Sequence, residues 1–129
     1  MMAGAGEMLA AWAVAALGRI DGLNGAYDGV PERASLPYAA IEIGPEADWS
    51  WKSGAGREIR LTATVHDGGE RPARLRALME AVEAALLGLE GADGWRVVNA
   101  VLARRRTAQK RTGAWSGMVE MRVRMEAEN

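Results

Sequence analysis

The chain reads as an α+β single domain over residues 1–129: a mainly antiparallel four-stranded sheet, two helices packed on one face, and a long C-terminal β-hairpin. Three observations predict it. Two runs alternate apolar and polar residues with the two-residue period of a half-buried strand, near residues 59–66 and 115–126. One run between them, residues 75–89, repeats its apolar residues at steps of three and four, the period of a helix packed along one stripe. The order along the chain is helix, two strands, helix, two strands, with polar faces that belong to an antiparallel sheet open on one side rather than to a buried parallel one.

The first helix spans about residues 7–18, where Met8, Leu9, Trp12, Ala16 and Leu17 fall at helical spacing and Gly18 ends it. This segment is apolar and rich in small residues, but it lacks a basic leader, is interrupted by Glu7 and Arg19, and falls short of the roughly twenty residues a bilayer span needs. It reads as an Ala-rich amphipathic helix on the core. Residues 21–36 carry Gly, Asn, Asp and Pro at short intervals and form a linker, with a brief extended piece at Ala26 and Tyr27.

In residues 38–44, Ala39, Ile41 and Ile43 alternate with Tyr38, Ala40 and Glu42; after a loop, Ile59, Leu61, Ala63 and Val65 alternate with Arg60, Thr62, Thr64 and His66. DGGERP then supplies a turn and a proline suited to a first helical turn, and Leu75, Leu78, Met79, Val82, Ala85, Leu86 and Leu89 mark the second helix, stopped by Gly88 and Gly91. From Trp95 to about Ala108 alternation resumes, with Val98, Ala100 and Leu102 on one side. The last run places Trp115, Gly117, Val119, Met121, Val123 and Met125 on one face and Glu120, Arg122, Arg124 and Glu126 on the other. These two strands, joined across residues 104–113, make a hairpin with a basic tip.

At 129 residues and 49% hydrophobic the chain is the size of one domain with one core, and its net charge of -1 recommends neither a nucleic acid nor a membrane. Catalysis needs a nucleophile with its base, a carboxylate pair in a pocket or a metal cluster, and here there is one histidine and no cysteine. His66 ends a strand on the polar face without a partner ligand and is assigned no role. Ser53-Gly54-Ala55-Gly56 lacks the Gly-Lys-Ser/Thr and the following helix of a phosphate loop, so it is a loop returning into a strand. Glu80 and Glu83 share a helix face with Arg76 and read as a solvated face. No enzyme activity, metal or cofactor is expected.

Two surfaces remain. The loop over residues 45–57 is longer than the roughly four to six residues usual between elements, and it carries Trp49 and Trp51 among Gly, Ser, Asp and Lys. Two apart, the tryptophans point the same way in an extended chain, and exposed tryptophans are enriched at protein interfaces. Arg104, Arg105, Arg106, Lys110 and Arg111 concentrate positive charge at the hairpin tip. They either keep an exposed edge soluble or track phosphates, without interleaved aromatics for stacking.

Taken together, LPYAAIEIG, DWSWKSGAGREIRLTATVHD, the LRALMEAVEAALLG helix and a hairpin closing in VEMRVRME resemble the tail-terminator, or tail-completion, proteins of long-tailed phages, also found in prophages and gene transfer agents. GAYDGVPERASLPY is similar to the family's short strand and its turns. The most specific part is the series Asp48, Trp49, Ser50, Lys52, Gly54, Gly56, Arg57, Glu58, Arg60 and Leu61. RRRTAQKRTGAW departs from the family in being more basic. The resemblance implies a virion structural protein, assembled in the bacterial cytoplasm, that forms a hexameric ring at the head-proximal end of the tail. It would cap the major tail tube protein, end its polymerisation and meet the head-tail connector, with DNA only as passing cargo. Under that reading Trp49, Trp51, Lys52 and Arg57 contact tube or connector, and Arg104, Arg105, Arg106, Lys110 and Arg111 make ring contacts or face the lumen. The alternative is a small nucleic-acid-binding module using the basic hairpin.

Overall fold

The computed structural model describes residues 3–128. Its elements run α1 (Ala5–Leu17), β1 (Ala26–Asp28), β2 (Tyr38–Asp48), β3 (Gly56–Asp67), α2 (Pro72–Leu87), β4 (Gly91–Ala92), β5 (Trp95–Gln109) and β6 (Trp115–Ala127). The sheet is six-stranded and mixed, in the order β1-β2-β3-β6-β5-β4, rather than four-stranded and antiparallel. The four long strands are antiparallel as expected. The additions are β1, which lies parallel on the outside of β2, and the two-residue β4 at the other edge. β1 contains the brief extended piece expected at Ala26 and Tyr27, while both strands are too short to show a period in the sequence.

The two best-patterned runs form the centre. β3 and β6 pair from Gly56 opposite Glu126 to Asp67 opposite Trp115 without a break. Because residues directly opposite share a face, Ile59, Leu61, Ala63 and Val65 meet Val119, Met121, Val123 and Met125 on one side, all fully buried. Onto that side α2 lays Leu75, Leu78, Met79, Val82 and Leu86, and α1 lays Leu9, Ala13 and Leu17. Pro72 starts α2, where its fixed φ suits a helix and its missing N–H has no partner to lose. The opposite face has no helix over it and carries Arg60, Thr62, Thr64, Arg122 and Arg124, each half-buried among its neighbours.

β5 departs from simple alternation. Its register with β6 shifts between Val97 and Asn99 and again between Leu102 and Arg104, so Val98 and Ala103 are extra residues in the ladder. Each insertion turns the following residues to the other face. Val98 therefore does not join Ala100 and Leu102, which lie opposite Val123 and Met121, and Trp95 and Val97 begin the helix side instead. Strand pairing also continues through Gln109 opposite Trp115, so the connection is the short turn closed by Lys110 and Ala114, not the whole of residues 104–113.

Three polar contacts fix the helices to the sheet. The Trp95 Nε1–H donates to the Ala3 carbonyl at 3.0 Å, Trp115 Nε1–H donates to the Glu70 carbonyl at 3.0 Å, and the buried Asp67 carboxylate receives Arg74 and the Gly69 N–H. A further fit is steric. A Cβ on Gly117 would stand 2.3 Å from Met79 Sδ and 2.8 Å from its Cγ, so the glycine makes the hollow that Met79 fills. Gly117→Ala is expected to cost about 1–2 kcal/mol by overpacking. In a denaturation double-mutant cycle with Met79→Ala the two changes should couple favourably, whereas additive costs would show that Met79 is not what the new methyl meets.

Candidate interface surfaces

The tryptophan loop is shorter and better ordered than its composition suggests. β2 and β3 stay paired through Glu46 opposite Ile59 and Asp48 opposite Arg57, beyond an irregularity between Ile43 and Glu46. The unpaired stretch shrinks to residues 49–55. Even there Trp49 N–H donates to the Gly56 carbonyl at 2.9 Å, and Trp51 and Gly54 exchange two backbone hydrogen bonds around a two-residue turn of Lys52 and Ser53. The excursion is a hydrogen-bonded hairpin tip.

Its motif residues explain that conformation. Ser50 Oγ donates to Asp48 Oδ1 at 2.6 Å and accepts from the Gly56 N–H at 3.1 Å. The hydroxyl of Ser50 chiefly, with the Arg57 charge behind it, holds the Asp48 carboxyl below its ordinary range. Gly54 leaves room for the Trp51 ring, which a Cβ would meet at 2.6 Å. Trp51 packs edge-on to Trp49 with ring centroids 5.9 Å apart, and the Arg124 guanidinium stands 5.3 Å over the Trp49 ring. The pair, with Ser50 and Glu126, lines an open cleft of about 380 Å³ on the helix-free side. Trp49 is half-buried and Trp51 is 44% exposed, so Trp51 is the face offered outward.

Of the four residues assigned to this surface, Trp49, Trp51 and Lys52 come together. Arg57 does not. It lies one residue past Gly56, on the other face, held by Glu46 at 3.5 Å and Asp48 at 3.2 Å.

The basic run is likewise divided, by strand alternation and by acids distant in sequence. Arg105 turns to the helix side and donates to Glu80 at 2.7 Å and Glu83 at 3.0 Å; Glu80 and Arg76 are solvent-exposed as expected, and the two glutamates also tie β5 to α2. Arg104 lies on the opposite face, 3.5 Å from Glu120, which also pairs with Arg60 at 3.3 Å. Arg106, Lys110 and Arg111 are exposed and make no ion pair among the described residues. The helix-free face is otherwise a laced charge array: Glu58 takes Arg124 at 3.0 Å and Arg122 at 3.7 Å, and Glu126 pairs with Arg96. Sequence reading did not find these pairs, whose partners lie up to 66 residues apart.

His66 stacks on Tyr38 with ring centroids 4.9 Å apart, and burial first, then Lys110, lowers its pKa below the ordinary histidine value. No group of three or more His, Cys, Asp or Glu among the described residues could hold a metal, and no helix there is long and apolar enough to cross a membrane.

One side of the sheet is covered by helices, the other carries ion pairs, and a hydrogen-bonded tryptophan hairpin stands at one end. The chain belongs to the family of tail completion protein gp17, whose model matches residues 8–126, and it is thus a structural component of a virion tail. Among solved structures it is similar to a chain in the virion of a native gene transfer agent particle, at 25% identity and a TM-score of 0.76, covering 97% of this chain and 100% of that one. No curated protein matches it in sequence.

Proposed function

We propose that this chain is the tail terminator of a long-tailed phage, prophage or gene transfer agent particle. Copies form a ring, in our reading a hexamer, that seats on the last ring of the tail tube, stops its polymerisation and presents a different surface to the head-tail connector. The observation that carries the reading is the match to a gene transfer agent virion chain over 97% of this chain and the whole of that one. Capping follows from asymmetry. A subunit whose two axial surfaces differ can bind the growing end with one and fail to template another tube ring with the other.

The exposed Trp51, braced by Trp49 and flanked by Lys52, supplies the kind of aromatic anchor that dominates binding energy at interfaces. Its contact is the tube or the connector. Arg106, Lys110 and Arg111 are free to face DNA passing through the ring. A separate nucleic-acid-binding reading is weakened by the engagement of Arg104 and Arg105 with Glu120, Glu80 and Glu83.

Trp51→Ala should leave the unfolding free energy within about 0.5 kcal/mol of wild type, as for surface positions. Binding to tube or connector should fall at least about tenfold. Pull-down with purified tube and connector proteins, and tail lengths in particles from a deletion strain complemented with the variant, measure this. Normal tail length in the deletion strain itself would falsify the terminator reading.

A further inference from the structure

The two edges of the sheet carry opposite charge. β1 and β2 hold Asp28, Glu42, Glu46 and Asp48 and no base; β5 holds Arg96, Arg104, Arg105 and Arg106 and no acid. The sheet order places these strands on opposite sides of the central β3-β6 pair. Both edges are also only partly covered. β1 shields Ala39, Ala40 and Ile41 of β2, and β4 with the Glu90 carbonyl shields Trp95, Arg96 and Val97 of β5, leaving residues 42–48 and 98–109 with an unpaired outer side. Val98, Val101 and Leu102 are exposed along the second of these, at 37–38%.

Resting on the ring reading above, we propose that the ring closes edge to edge, with the acidic β1-β2 edge of one copy seated against the basic β5 edge of the next. The registers support it. Arg104 lies opposite Glu120, Glu120 opposite Thr62 and Thr62 opposite Glu42, so Arg104 and Glu42 end one row across the sheet. A rotation between copies with little slide along the strands brings Glu42 of one copy level with Arg104 of its neighbour, extending the chain of charges from Arg60 through Glu120 and Arg104. The strands alternate in direction from β2 to β5, so the two edges run antiparallel where they meet. Such a contact is heterologous, as a closed ring requires. It also gives the long β5 edge, with its charges and bulges, a partner as well as protection from unwanted ones.

Two variants test this. Asp28→Arg with Glu42→Arg puts positive charge opposite Arg104 of the neighbouring copy, and Arg104→Glu with Arg106→Glu puts negative charge opposite Glu42. Each alone should self-associate at least about tenfold more weakly than wild type by sedimentation, because like charges then face each other. An equimolar mixture should recover association, since a ring of even number can alternate the two. Rings that persist in each variant alone overturn the edge contact while leaving the ring reading intact. A wild-type chain that forms no ring, alone or on tube ends, ends both.

If either variant fails to fold by circular dichroism, the Glu42→Cys, Arg104→Cys chain decides, because the natural chain has no cysteine. Three strand spacings, about 14 Å, separate these positions within a copy, beyond disulfide reach. Oxidation should therefore give a covalent ladder of copies; rings in negative stain without a ladder overturn the contact.

Discussion

Gly56→Val is expected to destabilise the protein by about 2–3 kcal/mol or more and to dismantle the tryptophan hairpin. A Cβ at this position would lie 2.5 Å from the Trp49 carbonyl oxygen and 3.1 Å from the Met125 carbonyl oxygen. Both are main-chain atoms, one in the tryptophan hairpin and one in β6, so no rotamer change can relieve the clash. Gly56 also accepts from the Trp49 N–H at 2.9 Å and donates to Ser50 Oγ at 3.1 Å. Forcing Trp49 away breaks both bonds, frees Ser50 from Asp48, and lifts the indole from beneath Arg124. Denaturant unfolding reads the first effect. Near-ultraviolet circular dichroism reads the second, through loss of the coupled tryptophan signal. A functional consequence follows under the terminator reading: particles carrying the variant should show unregulated tail length even at temperatures where the domain stays folded. Stability and spectrum both unchanged would mean that the strands at this point are further apart than described.

Gly56 also illustrates how much of the fold was legible in the sequence. β3 and β6 could be read because one face of each is dry and the other wet, from Ile59 and Arg60 to Met125 and Glu126. The second helix was equally plain, since Leu75, Leu78, Met79, Val82 and Leu86 make one stripe and all are buried. The detail of β5 is hidden in the sequence because a bulge has no signature in hydropathy: the extra residues Val98 and Ala103 look like ordinary members of an alternating run. The end of β2 looks like loop in sequence because Pro45, Glu46, Ala47 and Asp48 are exposed and carry no apolar alternation, yet the main chain of Glu46, Ala47 and Asp48 pairs with β3. As for the candidate surfaces, Trp49 and Trp51 could be placed together from their spacing alone. The fate of Arg57 and Arg105 could not, because it depends on which acids the fold brings close, and Glu80 lies 25 residues from Arg105.

Asp67→Ala is expected to cost about 2 kcal/mol at neutral pH, from the loss of charged hydrogen bonds that set the entry into α2. The Asp67 side chain is 1% exposed at the end of β3, and it takes Arg74 Nε at 2.9 Å on one oxygen and the Gly69 N–H at 3.0 Å on the other, which also receives the Arg74 Nη2. Arg74 is more than half exposed, so solvent screens its share, and the larger penalty lies in what the buried carboxylate organises. The hydrogen bond from Arg74 first, then the Gly69 N–H and the charge of Arg74, hold Asp67 below its ordinary pKa against the opposing effect of burial. A carboxyl with a lower pKa in the folded state binds fewer protons there than in the unfolded chain, whose value is about 3.9. Its contribution is therefore complete above that unfolded value and is lost as pH falls through the folded one. Asp67→Asn, which keeps the shape and drops the charge, should be less stable than wild type by a nearly constant margin from about pH 7 to about pH 5, and the margin should shrink below about pH 4. Urea unfolding of the two proteins in parallel cancels the other carboxylates, which titrate alike in both. A margin that stays constant down to about pH 2 would show that Asp67 is held by shape and not by charge.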